Sequence, residues 1–164
     1  MIGLLAGCAA VAGVGVGCLA IRHVRQGRDR DRLATLLSGQ TQVLEMIALG
    51  KPLPEVLTAL STLIESQAPG MLCSVLLLEG DCLRHGAAPS LPADYCDAIN
   101  GITIGPSVGS CGTAAHTRRP VVVSDIASDP LWADYRALAL THDLRACWSF
   151  PILATNDRCL GTFA

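Results

Sequence analysis

Gly109-Ser110-Cys111-Gly112-Thr113-Ala114-Ala115, and shortly after it Pro120-Val121-Val122-Val123-Ser124-Asp125-Ile126, hold the pattern on which the fold turns. The loop over 105–109, rich in Gly and Pro, leads into a helical turn over 110–117, and the apolar run over 121–126 reads as a strand. Downstream, Asp129-Pro130 opens a helix carrying Trp132, Tyr135, Leu138 and Leu140, after which residues 146–153 form a second apolar strand. Asn156-Asp157 is a hairpin turn, and residues 159–164 begin a further strand.

Upstream, Pro54 suits the first turn of a helix in which Leu53, Val56, Leu57, Leu60, Leu63 and Ile64 recur at helical spacing until Pro69-Gly70. Residues 71–78 are too continuously apolar for a half-exposed strand and predict a central one. Gly80-Asp81 turns the chain back into a strand around residues 82–85, and residues 92–100, closed by Gly101, predict a short helix. Strand, hairpin, helical excursion, strand, helix and hairpin together define an α+β domain on one mixed or antiparallel sheet.

Hydrophobic residues make up 51% of the 164, an excess that requires a membrane segment, a heavily covered sheet, or both. Residues 2–21 carry no charged side chain and as a helix would be roughly 30 Å long, the thickness of a bilayer core. Arg22, Arg25, Arg28, Arg30 and Arg32 follow, against Asp29 and Asp31, which by the positive-inside rule sets the Arg-rich side in the cytoplasm. The order of apolar run and charge argues against a cleaved signal peptide, and Leu5-Ala6-Gly7-Cys8 stands too near the start to serve as a lipobox. A single-pass protein of the inner (cytoplasmic) membrane is expected, with residues 1–22 as a transmembrane helix.

Residues 23–50 form the expected linker. Leu33, Leu37, Gln40, Leu44 and Ile47 repeat at coiled-coil spacing, which fits a signalling helix paired with its copy or an amphipathic helix packed on its own domain. Gly50-Lys51-Pro52 ends it, so the domain is placed at 51–164. From Lys51 onward 7 basic residues face 11 acidic ones, which offers no basic face to nucleic acid. The 8 cysteines lack C-x-x-C pairs and are expected to stay reduced in the cytoplasm.

Together with Asp129-Pro130-Leu131-Trp132, Leu144-Arg145-Ala146-Cys147-Trp148-Ser149, Pro151-Ile152 and Leu160-Gly161-Thr162-Phe163, the opening stretches resemble the GAF family of sensory domains. The order and spacing look like the GAF domains found upstream of bacterial histidine kinases and of cyclic-di-GMP synthesis or hydrolysis domains. The resemblance implies a central antiparallel sheet of five or six strands with helices on one face. On the other it implies a ligand pocket beneath the excursion helices, and it further implies dimerisation through flanking helices. Family members normally complete the last strand and add a terminal helix, so the strand from Cys159 is expected to be unfinished, and an output domain is expected downstream.

Ser110, Cys111 and Thr113 are candidate pocket residues at the edge of the glycine-rich loop, which lacks the G-K-[ST] ending of a phosphate loop. Trp132, Tyr135, Cys147, Trp148 and Ser149 join them, the aromatic side chains offering apolar area with a polar handle, as readily for core packing as for a ligand. Asp125, at a strand end, completes the set. The family also includes free methionine-(R)-sulfoxide reductases, thiol enzymes that need a cysteine before the later core strand; none lies between Gly112 and Ala146. Bilin attachment would need Cys-His where this chain has Cys147-Trp148, and the Asn-Lys-Phe-Asp-Glu signature of cyclic-nucleotide binding is missing. His85, His116 and His142 lack metal-ligand spacing, so no cofactor or metal is identifiable. The expected function is a non-catalytic, small-molecule-binding sensor module, and the alternative is a reductase-like thiol enzyme.

Overall fold

The computed structural model describes residues 33–164, and the expected span over residues 2–21 lies outside them. Among the described residues, no helix is long and apolar enough to cross a membrane. The described residues divide between 42 and 43 into two units, and residues 43–164 carry the sheet.

Helix α1 covers residues 33–48. Its end is a Schellman motif: Gly50 adopts a left-handed conformation at φ 65°, the Gly50 N–H bonds the Ile47 carbonyl, and the Lys51 N–H bonds that of Met46. This is the interruption that Gly50-Lys51-Pro52 predicts. Leu33, Leu37, Leu44 and Ile47, the apolar members of the predicted seam, are all more than half exposed.

Helix α2, Leu53–Glu65, starts with Pro54 in its first turn as expected. The chain then builds β1 (Val75–Glu79), β2 (Cys82–Ala87), α3 (Ala93–Ile99), β3 (Ile102–Thr103), α4 (Gly109–Thr117), β4 (Val121–Val123), a 3-10 turn (Pro130–Trp132), α5 (Arg136–Thr141), β5 (Cys147–Leu153) and β6 (Cys159–Phe163). The six strands make one curled antiparallel sheet in the order β3-β2-β1-β6-β5-β4.

One expectation is corrected. Helices flank both faces of the sheet: a Cβ on Gly86 would touch Leu57 of α2 and Leu77 of β1. On the opposite face Leu76 and Leu83 pack with Tyr95, Ile99, Ala115, Val123, Ile126, Trp132 and Ala139 into the main core. The last strand is not an open edge. β6 lies between β1 and β5, and beyond its end Ser74 and Ala164 exchange reciprocal backbone hydrogen bonds of 2.8 and 2.9 Å. A strand in that place leaves no row of free N–H and C=O groups on either side.

Smaller departures have local causes. The strand expected over 121–126 stops at Val123 because the Asp125 carboxylate takes the Ala127 N–H and the Ser128 hydroxyl, which closes a turn. The helix expected from Asp129 divides into the 3-10 turn, capped by the Asp129 side chain at the Leu131 N–H, and α5, which begins after Tyr135. The two-residue β3 has no periodicity to betray it.

β6 approaches β1 so closely that a Cβ on Gly161 would stand 2.1 Å from the Leu76 carbonyl oxygen, and only glycine fits. Gly161→Ala therefore has to push two central strands apart. A loss of ~2–4 kcal/mol in urea unfolding is expected, against ~1 kcal/mol for Gly80→Ala, which meets only backbone strain at φ 62° in open space.

Candidate functional site

Along β5 side chains alternate between faces, so Cys147 and Ser149 point toward α4 while Trp148 points the other way. Pairing carries the same division across the sheet. Val121 and Val123 stand opposite Ser149 and Cys147, and on β6 Thr162 stands opposite Leu76 of the core. The floor under α4 thus holds Cys147, Ser149 and Thr162 among apolar neighbours.

Helix α4 opens at Gly109, whose φ of 53° lets the backbone swing from the loop into the helix. Two small side chains of its first turn then meet the sheet. The fully buried Ser110 hydroxyl accepts a hydrogen bond from the Trp132 indole N–H at 3.0 Å and donates a long one, 3.5 Å, to the Cys147 carbonyl. Thr113 is also buried, and its hydroxyl accepts from the Val108 N–H at 3.1 Å, fastening the loop to the helix. Both hydroxyls are therefore occupied inside the fold.

Ser149 and Thr162 differ: each is fully buried, and neither hydroxyl makes a hydrogen bond within the fold. A buried hydroxyl without a partner costs roughly 1–3 kcal/mol. Both lie near Cys111, whose thiolate such hydroxyls favour once turned to donate to it. The neighbouring Cys147 thiol does so more strongly, and against the opposing effect of burial the three together hold the Cys111 thiol below its ordinary range. The Cys147 thiol donates to the Trp148 carbonyl at 3.7 Å, and the nearby Cys111 together with burial raises it well above the ordinary range. Tyr95 of α3 is the other ionisable group near this pair; burial pushes its phenol up, and its ring meets His142 edge-on at 5.5 Å.

Of the nine residues singled out in the sequence, Ser110, Cys111, Cys147 and Ser149 come together here, with Trp132 joined to them through Ser110. Tyr135 is half-buried and packs against the core. Thr113 fastens the loop that precedes α4. Asp125 is exposed in its turn, its carboxyl held below the usual range by the Ser128 hydroxyl and the Ala127 N–H. Trp148 is 60% exposed on the opposite face beside Val122, because its odd step along β5 turns it away from α4. Thr162 and Tyr95 were missed. Thr162 is a polar residue inside an apolar strand, a signal open to reading; Tyr95 depends on how α3 folds back, which no local pattern shows.

The fold and this site are those of a sensory α+β domain. Residues 50–164 match the GAF domain family, and the chain belongs to it. Over 137 residues it is 41% identical to the methyl sulfide methyltransferase-associated sensor of Methanosarcina acetivorans, a match that takes in 82% of this chain and 14% of that protein. The chain thus spans about a seventh of that relative's length. Among solved structures, it resembles a protein of Burkholderia vietnamiensis described as a GAF sensor, with TM-score 0.61, 20% identity, and 80% and 77% of the two chains covered. It also resembles the free methionine-(R)-sulfoxide reductase of Neisseria meningitidis, with TM-score 0.62, 19% identity, and 80% and 70% covered. At these identities the structures share the fold.

The Trp132–Ser110 bond makes a direct test of the site's frame. Ser110→Ala strands a buried indole N–H and should cost ~1–3 kcal/mol in denaturant unfolding, whereas Ser110→Ala combined with Trp132→Phe, which removes both polar partners, should recover part of that loss.

Proposed function

We propose that the chain is the input module of a membrane-anchored signal-transduction protein, and that its GAF domain binds a small molecule where α4 meets β5 and β6. The observation that carries this reading is the pair of buried, unpartnered hydroxyls on Ser149 and Thr162 beside Cys111. Unsatisfied donors in an apolar wall favour a guest that supplies acceptors, and a few convergent polar groups within apolar surroundings are how small-ligand sites gain orientation. The relative that is 41% identical is itself named a sensor.

In this reading residues 2–21 anchor the protein in the cytoplasmic membrane, with the domain on the cytoplasmic side. A second copy covers the exposed leucines and isoleucine of α1, giving a homodimer through flanking helices. The signal passes to an output domain of histidine kinase or cyclic-di-GMP type. Val122, Trp148 and Phe150 leave the far face of β4 and β5 apolar and exposed, ready to be covered by the helix that follows the sheet in the family pattern.

A second reading, thiol-dependent reduction of free methionine-(R)-sulfoxide, draws on the lowered Cys111 thiol. One experiment separates the two. The full chain, purified in detergent, is melted against small metabolites of different classes, free methionine-(R)-sulfoxide among them. The sensor reading predicts that at least one raises the midpoint by a few degrees without being converted, and that the shift disappears in Ser149→Ala/Thr162→Val. Turnover of the sulfoxide with a thiol donor, lost in Cys111→Ser, would establish the enzyme instead.

A further inference from the structure

Among the described residues, the buried polar side chains are all serines and threonines. Around α4 most polar groups are already committed. Ser110 stands between the Trp132 indole and the Cys147 carbonyl, and Thr113 holds the Val108 N–H. The charged groups on the side of α5 are committed too: the Arg136 guanidinium donates to the Ile126 and Asp129 carbonyls, the Asp129 carboxylate caps the Leu131 N–H, and His142 meets Asp94 at 3.7 Å. Ser149 and Thr162 are left, each fully buried and without a hydrogen bond. Thr162 stands opposite Pro151, two steps along β5 from Ser149, so the two are diagonal neighbours on the face under α4. Diagonal neighbours lie roughly 7–8 Å apart along the backbone, which leaves room for one oxygen atom between the two hydroxyls at hydrogen-bond distance from each.

We propose that the molecule bound at this site is uncharged and carries one strong acceptor oxygen, as a ketone or an amide does, on an otherwise apolar body. The inference rests on the binding site proposed above and names the class of its guest. A carbonyl-type oxygen has two lone pairs, so a single atom satisfies both hydroxyls at once. Apolar side chains complete the wall: Val121 stands opposite Ser149, Val123 opposite Cys147, and Leu76 opposite Thr162. An ionised carboxylate or ammonium entering the same place would lose its water and meet no counter-charge that is not already paired, and a charge buried without a partner is among the costliest of contacts. Sulfur is a weak acceptor while it keeps its proton, so an oxygen guest displaces the Cys111 thiol as the target of the two hydroxyls.

Discrimination of this kind is large because the wrong guest leaves a buried polar group unpaired. A neutral acceptor should bind at least about tenfold more tightly than an ion built on the same carbon skeleton, and the loss of either hydroxyl should weaken it about tenfold. Removing a hydroxyl has the opposite sign in the empty protein. Ser149→Ala and Thr162→Val each take away a buried polar group that has no partner, so the unliganded variants should be as stable as the parent or more so. Hydroxyls that only filled space in the core would show no such opposition between binding and stability.

The test titrates the full chain, in detergent at pH 6 to keep Cys111 in its thiol form, with acetone, butanone and cyclopentanone. Each is set beside the carboxylate and the ammonium ion of the same carbon count, and binding is read by ligand-observed NMR. We expect at least one ketone to bind, its ionised counterparts to bind at least about tenfold more weakly, and Ser149→Ala and Thr162→Val each to weaken the ketone about tenfold while melting, unliganded, no lower than the parent. An ion that binds as well as its ketone would overturn the inference and leave the binding site standing. Ketone binding that neither substitution weakens would overturn it as well, by placing the guest elsewhere. If no compound of any class binds the folded chain, the binding site and the inference fail together. The comparison of ketone with ion on the parent chain needs no variant, so it decides the matter even where a variant does not fold.

Discussion

The buried hydrogen bond from the Trp132 indole to the Ser110 hydroxyl ties together parts of the chain that no regular element joins. On one side is the 3-10 turn after β4, on the other the first turn of α4, and the same serine reaches on to the Cys147 carbonyl of β5. An indole N–H has nowhere else to donate once Trp132 is 5% exposed, so this single acceptor fixes how deeply α4 sits on the sheet. With that depth set, Cys111, one residue further along the helix, meets Cys147, Ser149 and Thr162. The chemistry of the site follows from a packing constraint outside it.

Much of the domain was legible because its signals are local. Pro54, Gly50, Gly101 and the Asn156-Asp157 turn each act within a few residues, and the elements they bound stand where the pattern puts them. The continuous apolar run of β1 announced a strand covered on both faces, and Val75 and Leu76 are each 1% exposed. Less legible was anything that needs two distant segments in register. The last strand does not name its neighbours in its own sequence, and the pairing of β6 with both β1 and β5 makes it central. The candidate site shows the same limit. The sequence offered Cys111 and Cys147 as candidate pocket residues without showing how they meet, and it is the crossing of α4 over β5 that brings them near each other.

In the proposed sensor, ligand recognition and reporting would fall on different faces of the sheet. The side under α3, α4 and α5 is densely packed and carries polar groups in its floor, as a recognition surface requires. The other side meets α2 near β1 and β2, and over β4 and β5 it shows Val122, Trp148 and Phe150 to solvent. β5 belongs to both faces, since Cys147 and Ser149 alternate with Trp148 and Phe150 along one strand. A shift of that strand under α4 is felt at once on the far side, because closely packed interiors transmit small displacements.

Whether the polar groups beneath α4 act as a unit is read most directly from the ionisation of Cys111. Thiolate absorbance, measured against pH as the difference between the parent protein and Cys111→Ser, isolates that sulfur. The account predicts a midpoint below the ordinary thiol range, moving upward in Ser149→Ala and in Thr162→Val and furthest in Cys147→Ala, since the Cys147 thiol has the largest hold on the charge. A midpoint near 9 that none of these substitutions displaces would mean that Cys111 is an ordinary cysteine and that the cluster does not converge on it.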